Sequence, residues 1–158
     1  MILDEPHRPS RRGVLALGTG TLAVVALRPV AAEAATRTES TAEAIRRFAG
    51  DAEIRPGRIH LDLPPLVENG NAVTITVTVD SPMSPEDHVR RIAVFNDRNP
   101  QPNVITAHLG PLSGRAALTT RIRLADTQRI TAIAETSDGR YWSTTADAIV
   151  TLAACLEG

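Results

Sequence analysis

The chain has 158 residues, room for one domain and little more, and is 42% hydrophobic but only 3% aromatic, so any core must rest on Val, Ile, Leu and Ala. A formal net charge of −1, with arginine at all 17 basic positions, gives no electrostatic case for nucleic acid or an anionic membrane. The single cysteine excludes an internal disulfide.

At the N-terminus, Ser10-Arg11-Arg12 leads into an apolar run from Gly13 to Leu27, followed by Arg28-Pro29 and the small residues around Ala32-Glu33-Ala34. Basic, then apolar, then small is the order of a secretory signal. The run is too short for a comfortable membrane span, and the arginine pair points to the twin-arginine route. The expectation is export to the periplasm with cleavage near Ala34. Residues 1–34 then form the signal, 35–152 the folded domain and 153–158 a flexible C-terminal arm.

Thr41–Ala49 reads as one short amphipathic helix, with a capping Thr41, an early Glu43, Ile45 and Phe48 on one side, and Gly50 as a stop. Ile59–Leu63 alternates apolar and polar and is closed by Pro64-Pro65. Glu68-Asn-Gly-Asn71 is a turn signal. It feeds Ala72–Val79, where Val73, Ile75, Val77 and Val79 share one face and Thr74, Thr76 and Thr78 the other. That period of two belongs to a half-buried strand.

Val89–Asn96 predicts a strand buried on both sides, and Val104–Leu109 another. Ala117–Leu124 alternates, with Leu118, Thr120, Ile122 and Leu124 inward and Arg121 and Arg123 outward. Arg129–Thr136, the turn Ser137-Asp-Gly139, Tyr141–Thr144 and Ala148–Leu152 complete the set. About eight short strands with one helix predict an all-β fold, an immunoglobulin-like antiparallel β-sandwich bearing a C-terminal arm with the cysteine. The Cys–Trp–Cys core of antibody domains is missing, so the likeness is architectural.

Cys155 lies three residues beyond Leu152, a place that presents a sulfur rather than burying it. An unpaired thiol in an exported protein points to intermolecular bonding or reactive chemistry. Other chemistry is thin. His60, His88 and His108 are scattered and form no metal-ligand spacing with one another, with Cys155 or with carboxylates, so no metal or cofactor is expected. No C-x-x-C pair, nucleophile elbow or phosphate-binding glycine loop is present.

Several segments together resemble the SoxY family: the twin-arginine leader, Leu61-Asp-Leu-Pro64, Glu68-Asn-Gly-Asn71, Asp80-Ser-Pro-Met83, Asn99-Pro100, Leu112-Ser-Gly-Arg115, Thr120–Gln128, Ala134-Glu135, Ser137-Asp-Gly139 and Val150-Thr-Leu152. The resemblance implies a non-enzymatic carrier of sulfur intermediates in periplasmic thiosulfate oxidation, with substrate attached through Cys155. It further implies a heterodimer with a SoxZ-like β-sandwich subunit, loading by a haem cytochrome and sulfate release by a dimanganese hydrolase. The family tail is typically Gly-Gly-Cys-Gly-Gly, whereas this chain has Ala153-Ala154-Cys155-Leu156-Glu157-Gly158. Two alanine methyls, the bulk of Leu156 and the charge of Glu157 therefore surround the sulfur, and a nearby carboxylate disfavours thiolate. The alternative reading is a divergent or non-covalent SoxY-like subunit that binds through the Thr74/Thr76/Thr78 or the Arg121/Arg123 surface.

Overall fold

The computed structural model describes residues 39–154. The leader, and Cys155 with the three residues after it, lie outside the described residues. An α-helix, α1 (Thr41–Ala49), is followed by β1 (Ile54–Pro56), β2 (Ile59–Asp62), β3 (Leu66–Val67), β4 (Val73–Val79), β5 (Val89–Asn96), β6 (Asn103–His108), a 3₁₀ turn (Pro111–Ser113), β7 (Ala117–Ile122), β8 (Gln128–Thr136) and β9 (Tyr141–Val150). One sheet runs β1-β9-β8-β5-β6 with β3 added beside β9, and the other runs β2-β4-β7. The two face each other as an immunoglobulin-like sandwich, with α1 on the outside of the larger sheet.

The Val/Thr alternation of β4 does what its period requires: Val73, Ile75, Val77 and Val79 are buried. They meet Ile92 and Val94 of β5, Ile130, Ala132 and Ala134 of β8, and Ile122 and Leu124 at the end of β7. This interior is aliphatic, as the composition demands. Three of the four aromatic residues collect elsewhere, where Phe48 meets Phe95 and Tyr141 edge-on, each pair 5.9 Å between centroids. That second cluster explains why β5 is apolar on both faces. Ile92 and Val94 face the sandwich, while Ala93 and Phe95 face the helix.

The helix is tied down electrostatically as well. Arg91 on β5 sits 4.5 Å over the Phe48 ring, pairs with the buried Glu135 of β8 and donates to the Phe48 carbonyl at 3.3 Å. Burial works against its charge, but the Glu135 hydrogen bond and charge outweigh that and raise its pKa. Burying Phe48 itself contributes on the order of 2 kcal/mol.

Three details depart from the sequence expectation. Ser40, not Thr41, caps α1: its hydroxyl accepts from the Glu43 amide at 3.2 Å, and Glu43 accepts from the Ser40 amide at 2.9 Å. Thr41 instead donates to the Asn96 carbonyl at 2.7 Å, fastening the helix to β5. The segments Tyr141–Thr144 and Ala148–Leu152 join into one strand, β9, that ends at Val150, because β8 pairs with it from Glu135↔Tyr141 to Gln128↔Ala148 without a break. The polar Thr145 and Asp147 between them face solvent. Finally, β1 and β3 are strands, and both pair parallel to β9. With three and two residues they have no readable period, and Pro56 is tolerated because β1 is an edge strand.

Candidate functional site

Beyond β9 the chain remains held. The Thr151 amide donates to the Val67 carbonyl at 2.9 Å, and the Thr151 hydroxyl lies 3.2 Å from the carbonyls of both Val67 and Glu68. The Gly70 amide donates to the Leu152 carbonyl at 2.8 Å, the Leu124 amide to the Gly70 carbonyl at 2.8 Å, and the Ala154 amide to the Leu124 carbonyl at 3.0 Å. Ala154 is 7% exposed. The expected arm was to begin at Ala153, but the backbone is anchored through Ala154, immediately before Cys155.

Gly70 makes this clasp possible through absence of bulk. A Cβ there would lie 2.3 Å from the Leu124 carbonyl oxygen, 2.9 Å from the Ala154 nitrogen and 3.2 Å from the Leu152 oxygen. Three backbones meet at that point, and only a residue without a side chain fits among them. The sequence marked Glu68-Asn-Gly-Asn71 as a turn, yet Gly70 is there for close approach. Nothing local to Gly70 reveals this, since its partners lie on distant segments.

A second device holds the Leu124 side of the clasp. Asn99, in the β5–β6 loop, donates to the Arg123 carbonyl at 2.7 Å and accepts from the Ala125 amide at 3.0 Å and the Gln128 side-chain amide at 2.9 Å. Gln128 in turn accepts from the Arg98 amide at 3.1 Å. Thr127 adds a further link, accepting from the Val150 amide at 3.0 Å. Thus Glu68–Asn71, Asn99-Pro100, Thr120–Gln128 and Val150–Leu152, scattered in sequence, converge around the root of the C-terminal segment.

Asn99→Ala strands three polar partners at once. Asn99 is half-buried, so water relieves part of the loss, and the expected cost is about 1–2 kcal/mol. Thermal unfolding should shift down by roughly 5 °C, and amide hydrogen exchange should accelerate at Leu124 and Ala154. Exchange that rises evenly over the whole domain would mean that Asn99 does not serve the clasp.

The other sequence candidates fall elsewhere. Cys155 lies outside the described residues, one position beyond Ala154. His60 is exposed, its Nε2 3.0 Å from Asp80 Oδ2. His88 is half-buried with Nδ1 3.1 Å from the Ser84 carbonyl, and His108 is exposed on β6. Among the described residues no group of three or more His, Cys, Asp or Glu could hold a metal ion. No helix among them is long and apolar enough to cross a membrane. Trp142 is half-buried beneath the Arg58 guanidinium, 5.4 Å from the ring centroid.

The threonine and arginine surfaces, read separately in the sequence, form one face. In the β4–β7 register Thr74 stands opposite Arg121 and Thr76 opposite Thr119, with the Thr76 and Thr119 hydroxyls 3.1 Å apart. His60 and Asp62 of β2 extend it, opposite Thr78 and Thr76. It is the polar outer face of the smaller sheet.

Sequence comparison matches residues 45–155 to the family model described as sulfur oxidation protein SoxY. Comparison with curated proteins gives no match. Among solved structures, the sulfur carrier protein SoxY from Chlorobium limicola f thiosulfatophilum superposes with a TM-score of 0.60 at 23% identity, over 70% of this chain and 96% of that one. The superoxide reductase (neelaredoxin) from Ignicoccus hospitalis gives 0.54 at 15% identity, over 60% and 80%. A putative superoxide reductase from Thermotoga maritima gives 0.51 at 22%, over 65% and 89%. At these identities the structural likeness establishes the fold alone. The family match is the more specific finding, since it runs from the helix through both halves of the clasp to Cys155. The chain belongs to the SoxY family.

Proposed function

We propose that this protein is a covalent carrier of sulfur intermediates in periplasmic thiosulfate oxidation, with Cys155 as the attachment point. The observation that carries the reading is the position of that thiol: it follows directly on the clasped Ala154, within the span that matches the family. The clasp supports it physically, because a fixed root makes the thiol a defined target rather than the end of a loose strand.

In the loading step the Cys155 thiolate joins the outer sulfur of thiosulfate, and two electrons pass to a haem cytochrome, leaving a cysteine S-thiosulfonate. Water then cleaves the bond to the terminal sulfone in a dimanganese hydrolase, releasing sulfate and leaving a persulfide on the carrier. The chain itself supplies the nucleophilic sulfur and its placement. A SoxZ-like subunit completes the carrier as a heterodimer.

Mass spectrometry of Cys155 after incubation with thiosulfate and the Sox cytochrome tests this. A thiosulfonate adduct on the peptide containing Cys155 is the expected result, and an unmodified thiol under conditions that load another SoxY would sink the reading.

Export by the twin-arginine route is part of the same proposal, and Ser10-Arg11-Arg12 supports it. Replacing Arg11 and Arg12 with lysine should leave precursor in the cytoplasm and cut the periplasmic yield at least tenfold. Undiminished periplasmic protein from that variant would count against this route.

A further inference from the structure

Asn69-Gly70 is the single Asn-Gly pair in the sequence, and it lies inside the clasp. In such a pair the backbone amide readily attacks the preceding side chain, because glycine leaves its nitrogen unshielded by a Cβ. Here both reacting groups carry contacts that bear on the reaction. The nucleophile is the Gly70 amide, which donates to the Leu152 carbonyl at 2.8 Å. The electrophile is the Asn69 side-chain carbonyl, whose Oδ1 accepts from the Asn71 amide at 2.9 Å and from Asn71 Nδ2 at 3.0 Å. Asn69 is exposed to water, whereas Gly70 is buried.

The two sets of contacts act in opposite senses. The donors on Oδ1 draw electron density from Cγ and stabilise the oxyanion that forms as nitrogen attacks. The Leu152 bond occupies the proton that must leave, and the bond from the Leu124 amide to the Gly70 carbonyl holds the peptide in place. The pair is activated on one side and locked on the other. Asp138-Gly139 offers the contrast. The Thr136 hydroxyl, 2.6 Å from Asp138 Oδ1, and the Arg140 amide at 3.1 Å hold that carboxyl below its usual pKa, so it stays an ionised, poor electrophile.

We propose that Asn69 is a self-modification site gated by the clasp: opening of the Gly70–Leu152 bond lets the Gly70 nitrogen close on Asn69 Cγ, and the isoaspartate that results keeps the clasp from re-forming. In the first step the N–Cγ bond forms, the Cγ–Nδ2 bond breaks, and ammonia leaves with the Gly70 proton. Water then opens the cyclic imide at either carbonyl, giving aspartate or isoaspartate, and nothing is oxidised or reduced. Aspartate restores the original main chain and the Gly70 N–H. Isoaspartate routes the main chain through the former side chain and so inserts a carbon beside Gly70, where even an added Cβ would stand 2.3 Å from the Leu124 oxygen. The root of the C-terminal segment then stays loose. This inference does not depend on the carrier reading.

The test incubates the full chain, folded and in urea, at mildly alkaline pH in heavy-oxygen water, with peptide mass spectrometry that separates aspartate from isoaspartate. Hydrogen exchange at the Gly70 amide is measured on the same folded protein. Label is expected at residue 69 and not at 138. The folded chain should react roughly tenfold or more slowly than the denatured one, and by a factor matching the Gly70 protection, because both processes need the same N–H set free. Thr151→Val removes the hydroxyl contacts to the Val67 and Glu68 carbonyls while keeping the side-chain shape. With its fold checked by circular dichroism, it should speed both processes severalfold in parallel.

Deamidation of the folded chain at the denatured rate overturns the gating, as does a slowing unrelated to Gly70 protection. Absence of label at residue 69 over the time set by that protection overturns it too. So does faster Gly70 exchange in Thr151→Val with unchanged deamidation. An isoaspartate-bearing chain that keeps wild-type exchange protection at Ala154 overturns the unlatching.

Discussion

Gly70→Ala is expected to destabilise the domain by about 2–3 kcal/mol, the range for forcing a methyl into close-packed backbone and weakening hydrogen bonds there. For a domain of this size that lowers the melting temperature by roughly 10 °C. The cause is steric, because the added Cβ would stand 2.3 Å from the Leu124 carbonyl oxygen, well inside van der Waals contact. Relief requires either the Glu68–Asn71 loop or the Leu124 segment to move, and both carry hydrogen bonds of the clasp. The variant should therefore also lose hydrogen-exchange protection at Leu124 and Ala154 before the strands of the core do. A melting temperature within 2 °C of wild type would show that the loop yields freely and that the clasp is not a rigid root.

Cys155→Ser carries the opposite signature. It exchanges one sulfur for an oxygen at the position after the clasped Ala154, and the melting temperature should stay within about 1 °C of wild type. Thiosulfate-dependent modification should vanish altogether, because the chain contains no other thiol. Calorimetry and mass spectrometry on the same preparation decide the matter. A fall of several degrees would mean that the sulfur is packed into the domain, and a persisting adduct would mean that attachment occurs elsewhere. Paired with Gly70→Ala, the substitution separates the group that carries the chemistry from the structure that holds it in place.

Much of this protein is determined by short-range pattern. A period of two in β4 and of about 3.6 in α1 follows from chain geometry within a few residues, so Val73–Val79 and Thr41–Ala49 are legible from their own side chains. The aliphatic make-up of the sandwich core follows from composition, and the family from motifs spread along the chain. The thiol was singled out by being alone and near the end of the last strand.

What only the tertiary structure decided depends on groups that are far apart in sequence. β1 and β3 are too short to show a period and exist as strands because β9 offers them a parallel edge. The Thr74 and Arg121 surfaces become one face because register places the two residues opposite each other. Gly70 looks like a turn glycine until Leu124, Leu152 and Ala154 are brought against it, and the reason for glycine there is a distance to atoms of other segments. The same convergence anchors the backbone through Ala154, which no local pattern in the last residues encodes.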